Sequence, residues 1–179
     1  MDRSKAAILL MVVLACGLGL TSVVYHRWTS HGVLAWWGGD MARLVADAPR
    51  VEALRVQPAN AVETAQLADF VLVNGKPYNV SQRKDVTAAI GLDHLRRGLL
   101  DDGNFVWSAP PLAAKSADWG YALAFIDGSR RLVVVFDLTD RRMGRADAST
   151  TLAIDQIATG WQDFFADQFP PAGPVARKP

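Results

Sequence analysis

The sequence predicts an α+β domain, a small antiparallel sheet with helices packed on one face, preceded by a single N-terminal transmembrane helix. Two observations carry this prediction. An apolar run from Ala6 to Tyr25 contains no Asp, Glu, Lys or Arg, and two hairpin patterns and two helical stripes follow it. The chain has 179 residues, so the part behind the run has the length of one ordinary domain.

The run from Ala6 to Tyr25 matches a membrane span, because a helix of about 20 residues rises about 30 Å. Arg3 and Lys5 precede it, whereas Arg27 is the only fully positive side chain soon after it. The positive-inside tendency then places the N-terminus in the cytoplasm and the domain in the periplasm or outside the cell. The expected location is the inner membrane, single-pass, and the lipid bilayer is the first expected partner.

Two other interpretations of this run stay open. A cleaved signal peptide has a shorter apolar stretch that ends at small residues, whereas this run ends in Val23, Val24 and Tyr25. A lipoprotein signal would use Cys16, but the residues after Cys16 stay apolar instead of forming a polar tether. We therefore favour an uncut anchor, and a lipid anchor on Cys16 would also keep the domain on a membrane.

Tryptophans follow the run closely, at Trp28, Trp36 and Trp37. Indole rings favour the headgroup region, which predicts an interfacial collar, while the alternative places Trp36 and Trp37 in the domain core. The expected segments are a cytoplasmic stub and anchor (1–27), an interfacial linker (28–39), a soluble α+β domain (40–168) and a disordered Pro-rich tail (169–179).

The first half of the domain predicts a helix, a strand and a hairpin. Asn74-Gly75 supplies the left-handed backbone of a tight turn between two extended runs. In chain order we expect a helix over Met41–Ala48 capped by Asp40, a strand over Val51–Val56, and a hairpin of Phe70–Val73 with Tyr78–Val80.

A second helix is predicted after this hairpin. Ser81 is its expected N-cap and Gly103 its end, and Arg96 and Arg97 are expected on its solvent side. Its buried stripe is Ala88, Leu92, Leu95 and Leu99.

The second half predicts strands followed by a last helix. Asp127-Gly128 lies between two apolar runs, which is a strong short-range hairpin signal. We expect strands over Phe105–Ser108, Trp119–Ile126 and Arg131–Phe136, and a helix capped within Ser149–Thr151 whose stripe is Ile154, Ile157, Trp161, Phe164 and Phe165.

The order of elements from Val71 to Phe165, with Trp119-Gly-Tyr-Ala-Leu-Ala-Phe and Val133-Val-Val-Phe-Asp137, resembles small exported or membrane-anchored bacterial α+β domains of unknown function. The resemblance implies a fold more than a function. Some of those domains carry cysteines on the second hairpin strand, where this chain has Val135 to Leu138. A metal or redox role that such cysteines imply does not carry over.

Composition and motifs give no positive case for catalysis. The formal net charge is +1 without a basic stripe, which argues against nucleic acid as a partner. We expect no metal and no cofactor. Asp137 with Asp140 matches the start of a phosphotransferase motif, but too little chain follows for the rest of such a site. Asp101-Asp102-Gly103-Asn104 could bind calcium, yet a turn explains it more simply.

The sequence therefore predicts a membrane-anchored accessory or protein-interaction domain outside the cytoplasm, not an enzyme, which docks to an envelope or membrane protein complex. The alternative is a small-ligand binding or sensing domain. A third, weaker hypothesis is a hydrolase with a solvent-facing cluster of Asp127, Asp137 and Asp140. The candidate ligand or partner surface consists of Trp107, Trp119, Tyr121 and Trp161.

Overall fold

The computed structural model describes residues 31–59, 69–107, 112–113 and 117–170, together with five helical residues between positions 11 and 19, Met11, Val13, Leu14, Gly17 and Gly19. Most of the predicted anchor, the first three residues of the linker and nearly all of the Pro-rich tail lie outside the described residues. Among the described residues, no helix is both long and apolar enough to cross a bilayer.

The described part of the chain is an α+β domain, as the sequence predicts. The helices are α1 His31–Trp37, α2 Gly39–Asp47, α3 Leu92–Gly98, a 3-10 helix Asp102–Asn104, and α4 Ala158–Gln168. The strands are β1 Arg50–Pro58, β2 Phe70–Val73, β3 Lys76–Asp85, β4 Leu112–Ala113, β5 Tyr121–Asp127, β6 Arg130–Asp137, β7 Arg142–Arg145 and β8 Thr150–Ala153.

The strands form one antiparallel sheet in the order β2-β3-β1-β5-β6-β7-β8-β4, which is larger than the small sheet that the sequence predicts. Both predicted hairpins are confirmed. Asn74 and Gly75 have positive φ angles of 49° and 76°, as the tight turn between β2 and β3 requires.

Three local predictions are wrong. Ser81 does not cap a helix, because β3 continues to Asp85 and pairs with β1. Ser149–Thr151 does not cap the last helix, since Thr150 begins β8, which pairs with β7 and β4. Residues 105–107 of the predicted strand Phe105–Ser108 form no strand, and Phe105 is instead buried in the core. In the first two cases pairing with distant strands outweighs a local capping signal.

Two helix predictions are also wrong at their ends. Asp40 does not cap the first helix, because α2 begins at Gly39 with Gly38 as its N-cap and Asp40 lies in its first turn. The second predicted helix is shorter than expected: α3 covers only Leu92–Gly98, Gly103 lies in the separate 3-10 helix, and Ala88 is exposed before α3.

The sheet has two faces with different cover. The outer face carries the helices, and its core includes Trp37, Phe125, Phe136, Trp161 and Phe165. The inner face is a separate cluster without helices, formed by Leu54, Val56, Val71, Val73, Tyr78, Trp119, Ala122, Ala124 and Val135.

The sheet curls around its inner face. The Asn74 amide, at the tip of the β2–β3 hairpin, donates to the Ala146 carbonyl just after β7 at 2.7 Å. Strands at opposite ends of the order β2 to β7 therefore approach each other. A register shift between Arg55 and Val56 in the β1–β3 pairing is a bulge, and bulges increase local bending.

Trp36 and Trp37 belong to the folded domain. Trp37 is 1% exposed in the outer core, and Trp36 packs against that core from its edge. The packed part of the chain thus begins with α1, before residue 40, and the alternative that places both tryptophans in the core applies.

Candidate functional site

The four aromatic residues predicted as one surface lie in three different places. Trp119 is buried on the inner face, whereas Trp161 is buried in the outer core. Tyr121 is half-buried on the outer side, stacked on Phe165 with ring centroids 4.6 Å apart. Trp107 is 39% exposed beside α1. The structure does not bring these four together: Trp119 precedes β5 and packs on the inner face, whereas Tyr121, the first residue of β5, packs on the outer one.

Three of the four border depressions in the described surface. Trp119 and Tyr121 flank a shallow one of about 290 Å³ next to Arg55 and Gln57. Trp161 forms part of a groove of about 410 Å³ between α3 and α4, which we call the helix groove; its polar lining includes His94, Arg97, Asn104 and Gln156. The Trp161 indole N–H has no hydrogen-bond partner among the described residues.

The three aspartates of the hydrolase hypothesis do not form a cluster. Asp137 is 2% exposed, and its carboxylate accepts from the amides of Asp118, Thr139 and Asp140 at 2.9, 3.2 and 3.0 Å. Asp127 lies at the other end of the β5–β6 hairpin and pairs with Arg130. Within the described part of the chain, no group of three His, Cys, Asp or Glu side chains could hold a metal ion. The Asp137 carboxylate thus holds the turn that leaves β6.

The Asp101–Asn104 segment is a capped turn. The Asp101 carboxylate accepts from the Gly103 amide at 3.0 Å, which fixes the 3-10 helix. The Asp102 carboxylate accepts from the amides of Gly32 and Val33 at 3.1 and 2.6 Å. Both carboxylates are therefore occupied by backbone N–H groups, as the turn interpretation predicts.

A different surface combines exposure with apolar chemistry at the free edge of β2. Among the described strands, β2 pairs only with β3. Phe70 and Leu72 are 43% and 54% exposed, while Val71 and Val73 are buried in the inner face. Leu72 borders a depression of about 410 Å³, which we call the edge groove, lined by Met41, Leu72, Asn74, Gly75, Arg131, Leu132, Val133, Ala146 and Asp147.

The edge groove has a charged rim. The Arg145 guanidinium donates to the Asp147 carboxylate at 3.0 and 2.7 Å and lowers the pKa of Asp147 below its usual 3.8. Arg131, on the same rim, is exposed. The groove therefore presents apolar side chains between a fixed negative charge and a positive one.

Helix α1 is held on the domain by hydrogen bonds at both ends and by buried side chains. The Asp102 carboxylate accepts from its first amides, and Arg145 donates to the carbonyls of Trp36 and Trp37 at 3.2 and 3.3 Å. The Trp37 indole donates to the Leu99 carbonyl at 2.8 Å, and Val33 is fully buried. The negative Asp102 carboxylate thus lies at the N-terminal end of α1 and the positive Arg145 guanidinium at its C-terminal end. These are the charges that helix ends prefer, and they stabilise a helix of only seven residues.

Trp107 packs on the first turn of α1. A Cβ on Gly32 would lie 2.8 Å from the Trp107 ring, so only glycine allows this contact. The Trp107 indole N–H donates to the Asp102 carbonyl at 3.0 Å, and its neighbour Val106 is 42% exposed. We call Val106 and Trp107 the exposed α1 platform.

Sequence reasoning missed Leu72, Asp102 and Arg145 as residues that shape these surfaces. Phe70–Val73 is apolar at every position, so a strand there with one buried face must turn two apolar side chains outward. Asp102 and Arg145 act on residues about 70 and 108 positions away, which no local pattern reports.

Comparisons of the chain with protein-family models, with curated proteins and with solved structures found no match.

Proposed function

We propose that this chain is a membrane-anchored docking domain outside the cytoplasm, without catalytic activity of its own, that binds an extended segment of an envelope or membrane protein. The observation that carries the proposal is the edge groove beside β2. It is the place where exposed apolar side chains, a strand edge and fixed charges coincide.

A strand edge has a definite binding chemistry. Its outward amides and carbonyls pair with an added strand, and pockets for alternate side chains give specificity. Leu72 faces outward on β2, next to Met41 on α2 and Leu132 on β6. An extended partner segment with an apolar side chain at this position would bury Leu72 and extend the sheet.

The charges on the rim also bear on the partner. Arg131 and Asp147 border the groove, and their opposite charges favour a segment that carries complementary charges on either side of its apolar residue.

The anchor part of the proposal rests on the run Ala6–Tyr25 and on the charges around it. Its length suits a bilayer, and the positive-inside tendency places the domain on the outer side of the inner membrane. A domain held there meets membrane partners at high effective concentration, so even a small edge contact is sufficient for binding.

Photo-crosslinking in native membranes tests the docking surface. A photoreactive side chain at Leu72 is expected to give a discrete adduct, and the same group at the 99% exposed Ile90 is the matched control. The partner so identified should bind the purified full chain, and Leu72→Glu should weaken that binding at least tenfold whereas Ile90→Glu should not. Equal adducts at both positions, or binding that ignores Leu72→Glu, would contradict the proposal.

A second candidate function is small-ligand binding at the helix groove. It is favoured by Trp161, which borders this groove and whose buried indole N–H has no hydrogen-bond partner among the described residues. A ligand that bound there would change tryptophan fluorescence in the wild-type chain and lose affinity in Arg97→Ala, an exposed rim variant. Ligand screening without any Arg97-dependent response would remove this candidate.

A further inference from the structure

We infer that the exposed α1 platform, Val106 and Trp107, rests in the headgroup layer of the bilayer that holds the anchor. This inference depends on the proposed anchoring and goes beyond it, because it assigns the face of the domain that the membrane covers. The occupant is lipid.

The first step is the rigidity of α1. Asp102 holds its first amides, Arg145 holds its last carbonyls, and Trp37 lies in the outer core. A helix fixed in this way cannot swing on the domain without breaking several buried contacts. The point where the chain enters the domain is therefore constant, at Gly32 beside Trp107.

The second step is the length of the tether. Only six residues, 26 to 31, separate Tyr25 at the end of the apolar run from Gly32. Fully extended, this segment spans at most about 25 Å, and any less extended conformation spans less. Because Trp107 contacts Gly32, the platform lies within this short distance of the end of the apolar run.

The third step is the chemistry of the platform. The Trp107 indole N–H donates to the Asp102 carbonyl, 39% of the side chain is exposed, and Val106 adds an apolar surface. An indole with its ring edge exposed is the side chain that bilayer interfaces favour.

The orientation follows from the direction of α1. Its first turn lies at the platform, while its last carbonyls are held by Arg145, whose partner Asp147 borders the edge groove. Seven helical residues separate the two ends by about 10 Å. The groove thus lies near the end of α1 opposite to the platform, about one helix length away from it.

Spin labelling of the full chain in vesicles of phosphatidylcholine and phosphatidylglycerol tests this assignment. Cys16 is replaced by Ala, and a single nitroxide is attached either at Val106→Cys or, as a matched exposed apolar control, at Ile90→Cys. Collision rates are measured with oxygen, which enters lipid, and with a water-soluble nickel chelate. At position 106 the ratio of oxygen to nickel rates is expected to rise several-fold on reconstitution, and at position 90 it should stay at its value for water.

The outcomes separate the two proposals. A chain that floats with the vesicles and remains there after carbonate treatment, but shows an aqueous ratio at position 106, overturns the platform and leaves the anchor intact. A chain that carbonate removes overturns the anchoring and the platform together. A lipid-like ratio at both positions contradicts the assigned orientation, because Ile90 is then covered as well.

Discussion

The two faces of the sheet are closed by different means. The outer face is covered by helices from distant parts of the chain, and large aromatic rings such as Trp161 and Phe165 fill the space between the layers. The inner face has no helix and is closed by the curl of the sheet itself, around smaller side chains and Trp119. Helices can cover an apolar sheet face from outside. A sheet that closes by curling depends instead on contacts between its own strands.

This difference determines which residues each face depends on. The outer face needs buried polar side chains that hydrogen-bond to the backbone groups at helix ends. Arg96 is the clearest example. The inner face needs room for Trp119, which Gly144 provides, and ion pairs at its rim, where the buried Glu52 carboxylate pairs with Arg50 at 2.6 Å and with Arg83. Variants at these positions test whether the two faces depend on different residues.

The largest effect is expected for Arg96→Ala. The Arg96 guanidinium, expected at the surface from the sequence, is 9% exposed and donates to the carbonyls of Val45 and Ala48 at 2.7 and 2.8 Å, at the end of α2. Its removal leaves two buried carbonyls without donors, and we expect a loss of about 3 kcal/mol in the free energy of unfolding. Urea unfolding of the full chain in detergent measures this loss.

The neighbouring Arg97→Ala is the matched control. Arg97 is exposed, so its replacement should change the free energy of unfolding by less than about 0.5 kcal/mol. Equal losses for the two variants would show that the outer face does not depend on the capping of α2.

A medium effect is expected for Gly144→Ala on the inner face. A Cβ there would lie 3.2 Å from Trp119 and 3.4 Å from Thr151, which is closer than ordinary contact. We expect a loss of about 1 to 2 kcal/mol, again from urea unfolding. Gly120→Ala is the control, because its Cβ would meet nothing within 4 Å.

The Gly144 effect should depend on the indole of Trp119. In a Trp119→Phe background the six-membered ring edge that Gly144 faces is gone, so the added cost of Gly144→Ala should fall. If Gly144→Ala costs as much stability in this background as in the wild type, the strain lies in the backbone of β7 rather than in the contact with Trp119.

The smallest effect concerns pH. Burial raises the pKa of Tyr78 above its usual 10.0, and the carboxylates of Asp118 and Asp137 raise it further. Because the folded pKa exceeds the unfolded one, the stability that this tyrosine contributes is complete below pH 10 and is lost as the pH rises above it. Unfolding measured from about pH 9 to about pH 11 should show this decline.

Tyr78→Phe supplies the control for this titration. The variant lacks the phenol and should lose less stability over the same alkaline range than the wild-type chain. A parallel decline in both proteins would assign the pH dependence to groups other than Tyr78.

Local signals predicted some elements well and others poorly. The β2–β3 and β5–β6 hairpins were predictable because Asn74-Gly75 and Asp127-Gly128 determine their turns within a few residues. Ser81 and Ser149–Thr151 carried equally local capping signals, yet both were overridden by pairing with strands far along the chain. The candidate surfaces were missed for the same reason, since Leu72, Asp102 and Arg145 acquire their roles from distant neighbours.

The sequence alone determined the features that depend on neighbouring residues: the apolar run, the α+β class, the two tight hairpins and the stripe of the last helix. Tertiary structure alone decided that Trp119 and Trp161 lie on opposite faces, that Arg96 is buried, and that β2 ends the sheet beside an open groove. The physical reason is that turn and helix preferences are local free energies of a few residues. Burial and strand order instead depend on which distant segments compete for the same apolar surface.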